Sequence, residues 1–150
     1  MKTIVAAVDF SNATPGVLEM AGRLADTFGA ELHLLHVVEP EPAYTAYGFT
    51  PDEFPAMNAF QEEARKRAAR KLEELHFDLV HEHAKVVRRL SEGSPLHMLL
   101  DYVNEVKADL VVLGAHGHGA VAALLLGSVA EGMVRKAVAP TLVVPAPAKE

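Results

Sequence analysis

The chain has no cysteine. That excludes disulfides and thiolate metal centres, and it fits a reducing compartment. The opening apolar stretch Thr3 to Val8 is cut off at Asp9. It is too short for a signal h-region with a cleavage site and much too short to cross a bilayer, so a cytoplasmic protein with no membrane contact is expected. Basic charge is in deficit, with 14 Lys and Arg against 20 Asp and Glu and a net charge of −6. Nucleic-acid binding normally needs a basic face, so no nucleic-acid partner is expected. The local exception, Arg65-Lys66-Arg67 and Arg70-Lys71, sits among Glu62, Glu63, Glu73 and Glu74. The Glu62/Lys66 and Glu63/Arg67 spacing is that of a solvated helix face with i, i+4 pairs. No internal repeat, low-complexity tract or linker divides the 150 residues, and one domain over 1–150 is expected.

What is present is an alternation of apolar runs with helical periodicity. Thr3 to Val8 reads as a first strand. Val17, Ala21, Leu24 and Phe28 recur at helical spacing and stop at Gly29. Leu32 to Val38 reads as a second strand. Glu39 to Pro55 is a loop with four prolines and the aromatics Tyr44, Tyr47, Phe49 and Phe54, long enough to cover a ligand, a second subunit or a partner, or to pack locally. Met57, Phe60, Ala64, Ala68, Leu72 and Leu75 mark one face of a long helix. Glu82 to Leu90 is a more polar strand, suited to an edge. Ser94-Pro95 starts a third helix, with Leu96, Leu99, Leu100, Val103 and Val106 on one face. Asp109 to Leu113 is a buried strand, Val129 to Val138 a fourth helix, and Thr141 to Val144 a fifth strand.

This βαβαβαβαβ order predicts a single doubly wound α/β domain: a five-stranded parallel sheet of order 3-2-1-4-5 with helices on both faces. Strands one and four are then neighbours where the order reverses. Ligands of such sheets bind beyond the strand C-termini at that crevice. Asp9 and Gly114 close those two strands. After Gly114 come Gly117 and, nine residues on, Gly127-Ser128 at the mouth of a helix. Glycines at such a junction let backbone amides approach an anion, and the helix N-terminus adds unpaired N–H groups and partial positive charge. The pattern suits a nucleotide phosphate.

Gly114-x2-Gly117-x9-Gly127-Ser128 resembles the nucleotide-binding signature of the universal stress protein family. Ile4-Val-Ala-Ala-Val-Asp9, Leu34-Leu-His-Val37, Gly127-Ser-Val-Ala-Glu131 and Pro140-Thr-Leu-Val-Val144 are similar to other parts of it, so the resemblance spans the chain. It implies the adenine nucleotide alpha hydrolase-like fold and an adenine-nucleotide-binding stress-response or regulatory protein. It also implies bound ATP (or AMP or ADP), with Mg2+ or Mn2+ held by the phosphates. Val8, Asp9 and Val37 would lie at the adenosine. Gly114, Gly117, Gly127 and Ser128 would surround ribose and phosphates, with an amide from Val129. It further implies a homodimer paired through Thr141 to Val144; the protein partner is not named by the sequence.

Other readings of the same residues stand beside these. Ser128-x-x-Glu131 fits a capping box. Asp9 fits a cap on the first helix, and Val37 fits plain core. There is no P-loop lysine. The residue after Gly117, often basic in the family, is His118, and the segment from Gly117 to Leu126 holds no Lys or Arg. Phosphate charge would then fall to amides, the helix end, a metal ion and His118. Glu131 is the carboxylate placed to orient a water, which leaves very slow ATP hydrolysis as an alternative, beside a dimeric interaction protein with an empty site; no catalytic residue is assigned. His33/His36, His81/His83 and His116/His118 lack the third ligand of a tight metal site, so no protein metal site is assigned. His36 fits a strand histidine held by packing and one hydrogen bond.

Overall fold

The computed structural model describes residues 1–40, 55–75, 85–117 and 125–147. Five parallel strands, β1 (Thr3–Ala7), β2 (Glu31–Val38), β3 (Val86–Glu92), β4 (Leu110–Gly114) and β5 (Thr141–Val144), lie in the order β3-β2-β1-β4-β5. The 3-2-1-4-5 order expected from the alternation is therefore the order found. Ile4 pairs with Leu32 on one side and Leu110 on the other, which makes β1 the centre of the sheet.

Period-two alternation divides the core. Ile4, Ala6, Leu32, Leu34 and Val112 face α1 (Thr14–Phe28) and α2 (Pro55–Glu74). Val5, Leu35, Val111 and Leu113 face α3 (Pro95–Val106) and α4 (Ser128–Lys136). A sheet buried on both faces needs apolar residues at successive positions, and that is why its central strands read as unbroken apolar runs.

The helix ends have local causes. Gly29 takes φ 61, the left-handed region open to glycine, and the Ala30 N–H returns to the Ala25 carbonyl at 2.8 Å. Pro95 opens α3 with Ser94 at the N-cap position, although its hydroxyl makes no cap bond. The fourth helix is shorter than the apolar pattern indicates. Ala137 turns left-handed at φ 49 and its N–H bonds the Met133 carbonyl at 2.9 Å, leaving Val138 outside.

Other departures are in packing. Phe28 and Phe60 carry the helical spacing of core residues yet are half exposed, whereas Ala25 is buried. On α1 the sheet is reached by the small residues Ala21 and Ala25, which bring the helix close and leave the larger ring at its end in solvent. β3 begins at Val86, four residues after the expected start, and runs on to Glu92. His81, His83 and the aromatics of the 39–55 loop lie outside the described residues. Among the described residues no helix is long and apolar enough to cross a membrane.

Candidate functional site

The C-terminal ends of β1 and β4 open into a cleft of about 680 Å³. Its lining includes Val8, Asp9, Val37, Gly114, Gly117, Gly127, Ser128 and Val129, all singled out from the sequence. A cavity of this size suits a small cofactor. His118 lies outside the described residues.

One wall is the junction between β4 and α4. The Ala115 N–H bonds the Val144 carbonyl at 2.8 Å, and the Gly127 N–H bonds the Ala115 carbonyl at 2.7 Å. That second bond pins the return of the chain onto its start. It also favours glycine: a β-carbon at 127 would stand a tight 3.2 Å from the Ala115 oxygen and 3.4 Å from the Gly117 nitrogen. Gly127 is thus the N-cap residue, in extended conformation, and its own N–H is consumed. Ser128 is the first helical residue.

The capping box expected from Ser128 and Glu131 is absent. No side chain caps the helix. Glu131 instead accepts two bonds from Arg135, at 2.8 and 3.0 Å. With the chain entering the helix one residue earlier than a Ser cap requires, the hydroxyl is displaced from the N3 amide it would have bonded. The first intrahelical bond runs from the Glu131 N–H to the Gly127 carbonyl at 2.9 Å. The N–H groups of Ser128, Val129 and Ala130 therefore have no partner among the described residues. Three main-chain donors and the positive end of α4 face the cleft together. His116 adds to this wall. Its Nδ1 is buried with no hydrogen-bond partner among the described residues.

The opposite wall is built by the turn after β1. Asp9 does not cap α1, whose N-cap is Ala13 with no side-chain bond. Its Oδ1 accepts the Ser11 N–H at 2.9 Å and lies 3.5 Å from the Thr14 hydroxyl, tying the turn that leads into α1. Next in the chain, Phe10 adopts φ 61, which is uncommon for an aromatic residue and marks a locally strained turn. Its ring packs on His36 at 4.3 Å between centroids, with the planes at 44°. His36 Nδ1–H donates to the Val8 carbonyl at 2.7 Å, because a carbonyl can only accept. The expected packed, hydrogen-bonded role of His36 is thus found, with the ring at the cleft.

The third wall was not expected to be one. Arg67 and Lys71 of α2 line the cleft, and the Lys71 Nζ stands 5.7 Å from the Phe10 ring centroid. The Glu63/Arg67 pair expected from spacing is not seen among the described residues: Glu63 meets Lys66 instead, at 3.9 Å. A signal was present in the sequence. Ala68 and Leu72 are buried and Ala64 half-buried along one stripe of this helix, and Arg67 and Lys71 border it at i, i+4 spacing, where a long side chain crosses the rim of whatever the stripe covers.

The remaining histidine pair separates. His33 faces α3: its Nε2–H donates to Glu31 at 2.6 Å, and Tyr102 Oη bonds Nδ1 at 2.7 Å. Three residues on, His36 points to the other side of β2, as strand geometry requires. No cluster of three His, Asp or Glu residues able to hold a metal ion occurs among the described residues.

The model of the universal stress protein family matches residues 1–145. A universal stress protein of Thermus aquaticus, from the QAH/OAS sulfhydrylase 3' region, is 33% identical over 146 residues, covering 95% of this chain and 98% of that one. Among solved structures, the hypothetical protein MJ0577 aligns with a TM-score of 0.82 at 26% identity, over 99% of this chain and 98% of that one. A universal stress protein in complex with cAMP aligns with a TM-score of 0.60 at 26% identity, over 97% and 98% respectively.

Proposed function

Since the chain belongs to the universal stress protein family, we propose that it is a regulatory protein whose cleft binds an adenine nucleotide, with ATP, or AMP or ADP, as the resident ligand. The observation that carries this is the row of unpaired N–H groups from Ser128 to Ala130, aimed into a cleft at the switch point of the sheet. The cAMP held by a structural neighbour supports an adenine base and a phosphate as the ligand's two ends.

In this reading the phosphates meet the first turn of α4, with the main chain of Gly114 and Gly117 beside the ribose and His118 following. The Ser128 hydroxyl, released from capping, adds a donor. Asp9 takes hydrogen bonds from the sugar or base, since a carboxylate is repelled by phosphates. Val8 and Val37 flank the base. Mg2+ or Mn2+, if bound, would be held by the phosphates and would offset their negative charge. Nucleotide occupancy alters the 39–55 segment or a dimer formed through Thr141–Val144, and a protein partner reads the change. We assign the site no turnover: Glu131, the carboxylate the sequence offers for orienting a water, is not among the residues lining the cleft and pairs with Arg135 instead.

Acid extraction of the purified protein followed by nucleotide identification tests this. ATP, ADP or AMP is expected at a substantial molar ratio. An empty extract, together with no heat on titrating ATP, ADP or AMP into the protein, overturns it.

A further inference from the structure

We propose that His116 is a phosphate-contacting side chain of the cleft, its Nδ1 donating to the phosphate that lies against the first turn of α4. This rests on the nucleotide reading and adds a ring nitrogen to a phosphate end built from main-chain amides and the Ser128 hydroxyl. His116 borders the cleft. Its Nδ1 is buried and has no hydrogen-bond partner among the described residues. A buried polar atom without a partner costs stability, and folded chains rarely keep one. The two strand histidines contrast with it: Tyr102 takes the Nδ1 of His33, and the Val8 carbonyl takes that of His36.

Distances place this residue at the α4 end of the cleft. A β-carbon on Gly127, the N-cap of α4, would stand 3.4 Å from the His116 Cα. The unpaired N–H groups of Ser128, Val129 and Ala130 follow directly from that N-cap. The main chain before His116 is pinned, since the Ala115 N–H bonds the Val144 carbonyl at 2.8 Å and the Ala115 carbonyl takes the Gly127 N–H at 2.7 Å. Movement is therefore left to the ring. A turn about its Cβ–Cγ bond exchanges the two ring edges and carries Nδ1 off the wall to the ligand. An imidazole N–H bonded to a phosphate oxygen is charge-assisted, and stronger than the same bond between neutral groups.

The test is calorimetric titration of AMP and of adenosine into the wild type, His116→Leu and His116→Asn, with thermal unfolding of each protein without nucleotide. His116→Leu is expected to lower AMP affinity by about tenfold, the size of one hydrogen bond to a charged group in a part-solvated site. Adenosine, which lacks the phosphate, stays within about twofold. His116→Asn recovers most of the AMP affinity, because its amide nitrogen stands close to the place of Nδ1. Without nucleotide, His116→Leu melts no lower than the wild type, since the atom it deletes has no bond to lose. In nitrogen-15 spectra of the imidazoles, the signal missing from His116→Leu shifts on adding AMP and holds still on adding adenosine. Unchanged AMP affinity in His116→Leu, or an equal loss for adenosine, overturns the contact while leaving nucleotide binding intact. A lower Tm with the same affinity loss in His116→Asn makes the ring a packing element and also overturns it. A wild type that binds neither compound removes the underlying reading instead.

Discussion

The Asp9 carboxylate lies 3.2 Å from the point where a β-carbon on Gly117 would begin. Two residues more than a hundred positions apart are thus brought to van der Waals contact by the pairing of β1 with β4. The missing side chain at 117 is what allows Asp9 to reach across the crevice. The same economy recurs at Gly114, where a β-carbon would come within 2.9 Å of Ala13 Cβ. The glycines of the signature therefore let the two strand ends close on each other across the crevice.

Gly127→Val is expected to weaken nucleotide binding strongly while leaving the sheet and its oligomeric state unchanged. Its branched carbons would press on the Ala115 carbonyl and the Gly117 amide, moving the chain that presents the α4 donors. Close-packed atoms do not absorb such an addition without displacement, so a loss of about tenfold or more in ATP affinity is expected. Calorimetry with matched circular dichroism and light scattering checks it. Wild-type affinity in this variant would mean that the ligand does not touch the junction.

Much of this site was legible in the sequence because it depends on main chain. Strand order follows from alternation and handed crossovers, and a crevice at the end of β1 and β4 follows from strand order. What escaped were side-chain choices that spacing leaves degenerate. Glu63 has Lys66 at i+3 and Arg67 at i+4, and local pattern cannot say which it takes. Ser128 and Glu131 satisfy the spacing of a capping box, yet the bond from Gly127 to Ala115 starts the helix one residue earlier. The end of α4 was hidden because nothing in Ala137 advertises a left-handed residue. The buried Nδ1 of His116 lacks any sequence signature beyond its place between two glycines.

A second packing relationship predicts a rescue. A β-carbon at Gly132 on α4 would overlap the Leu96 side chain on α3. Gly132→Ala is expected to destabilise by about 1–3 kcal/mol, overpacking outweighing the better helix propensity of alanine. Leu96→Ala clears the space, so the double variant should recover part of the loss. Chemical denaturation of the four-member cycle measures the coupling. Additive losses would show that the helices separate without cost.

Tyr102→Phe removes the hydroxyl that bonds His33 Nδ1 at 2.7 Å beneath α3. The imidazole is buried and keeps only its Glu31 partner. Leaving one ring nitrogen unsatisfied costs about 1–3 kcal/mol. For a chain of this size that corresponds to a fall in Tm of about 2–4 °C per kcal/mol. Thermal unfolding checks it, and an unchanged Tm would mean that water replaces the phenol.

Glu31 predicts an acid-range dependence. Hydrogen bonds from Lys85, at 2.7 Å, and from His33 hold its carboxyl below the ordinary glutamate range. A depressed value in the folded state means that the unfolded chain binds the proton more readily. The stabilisation is therefore complete above the unfolded value of about 4.3 and is lost as pH falls through the folded one. The difference in Tm between wild type and Glu31→Gln should be constant at neutral pH and shrink below about pH 4. A gap that widens on acidification would reverse the sign and contradict the pairing.

The edge strand sets up the last prediction. The Val111 N–H bonds the Pro140 carbonyl and the Ala115 N–H bonds the Val144 carbonyl, both at the inner side of β5. Alternation then turns the main-chain groups of Thr141 and Val143 outward, toward the open edge. A second copy of the chain can add its own β5 there, and Pro140 and Pro145 limit the pairing to this short stretch. Val143→Pro removes one outward N–H and spares the bonds to β4, so it should convert a dimer into a monomer at micromolar concentration with the fold retained. Light scattering after size exclusion reads the mass. A wild type that is monomeric at that concentration excludes the β5 dimer, and a Val143→Pro protein that stays dimeric moves the interface to another face.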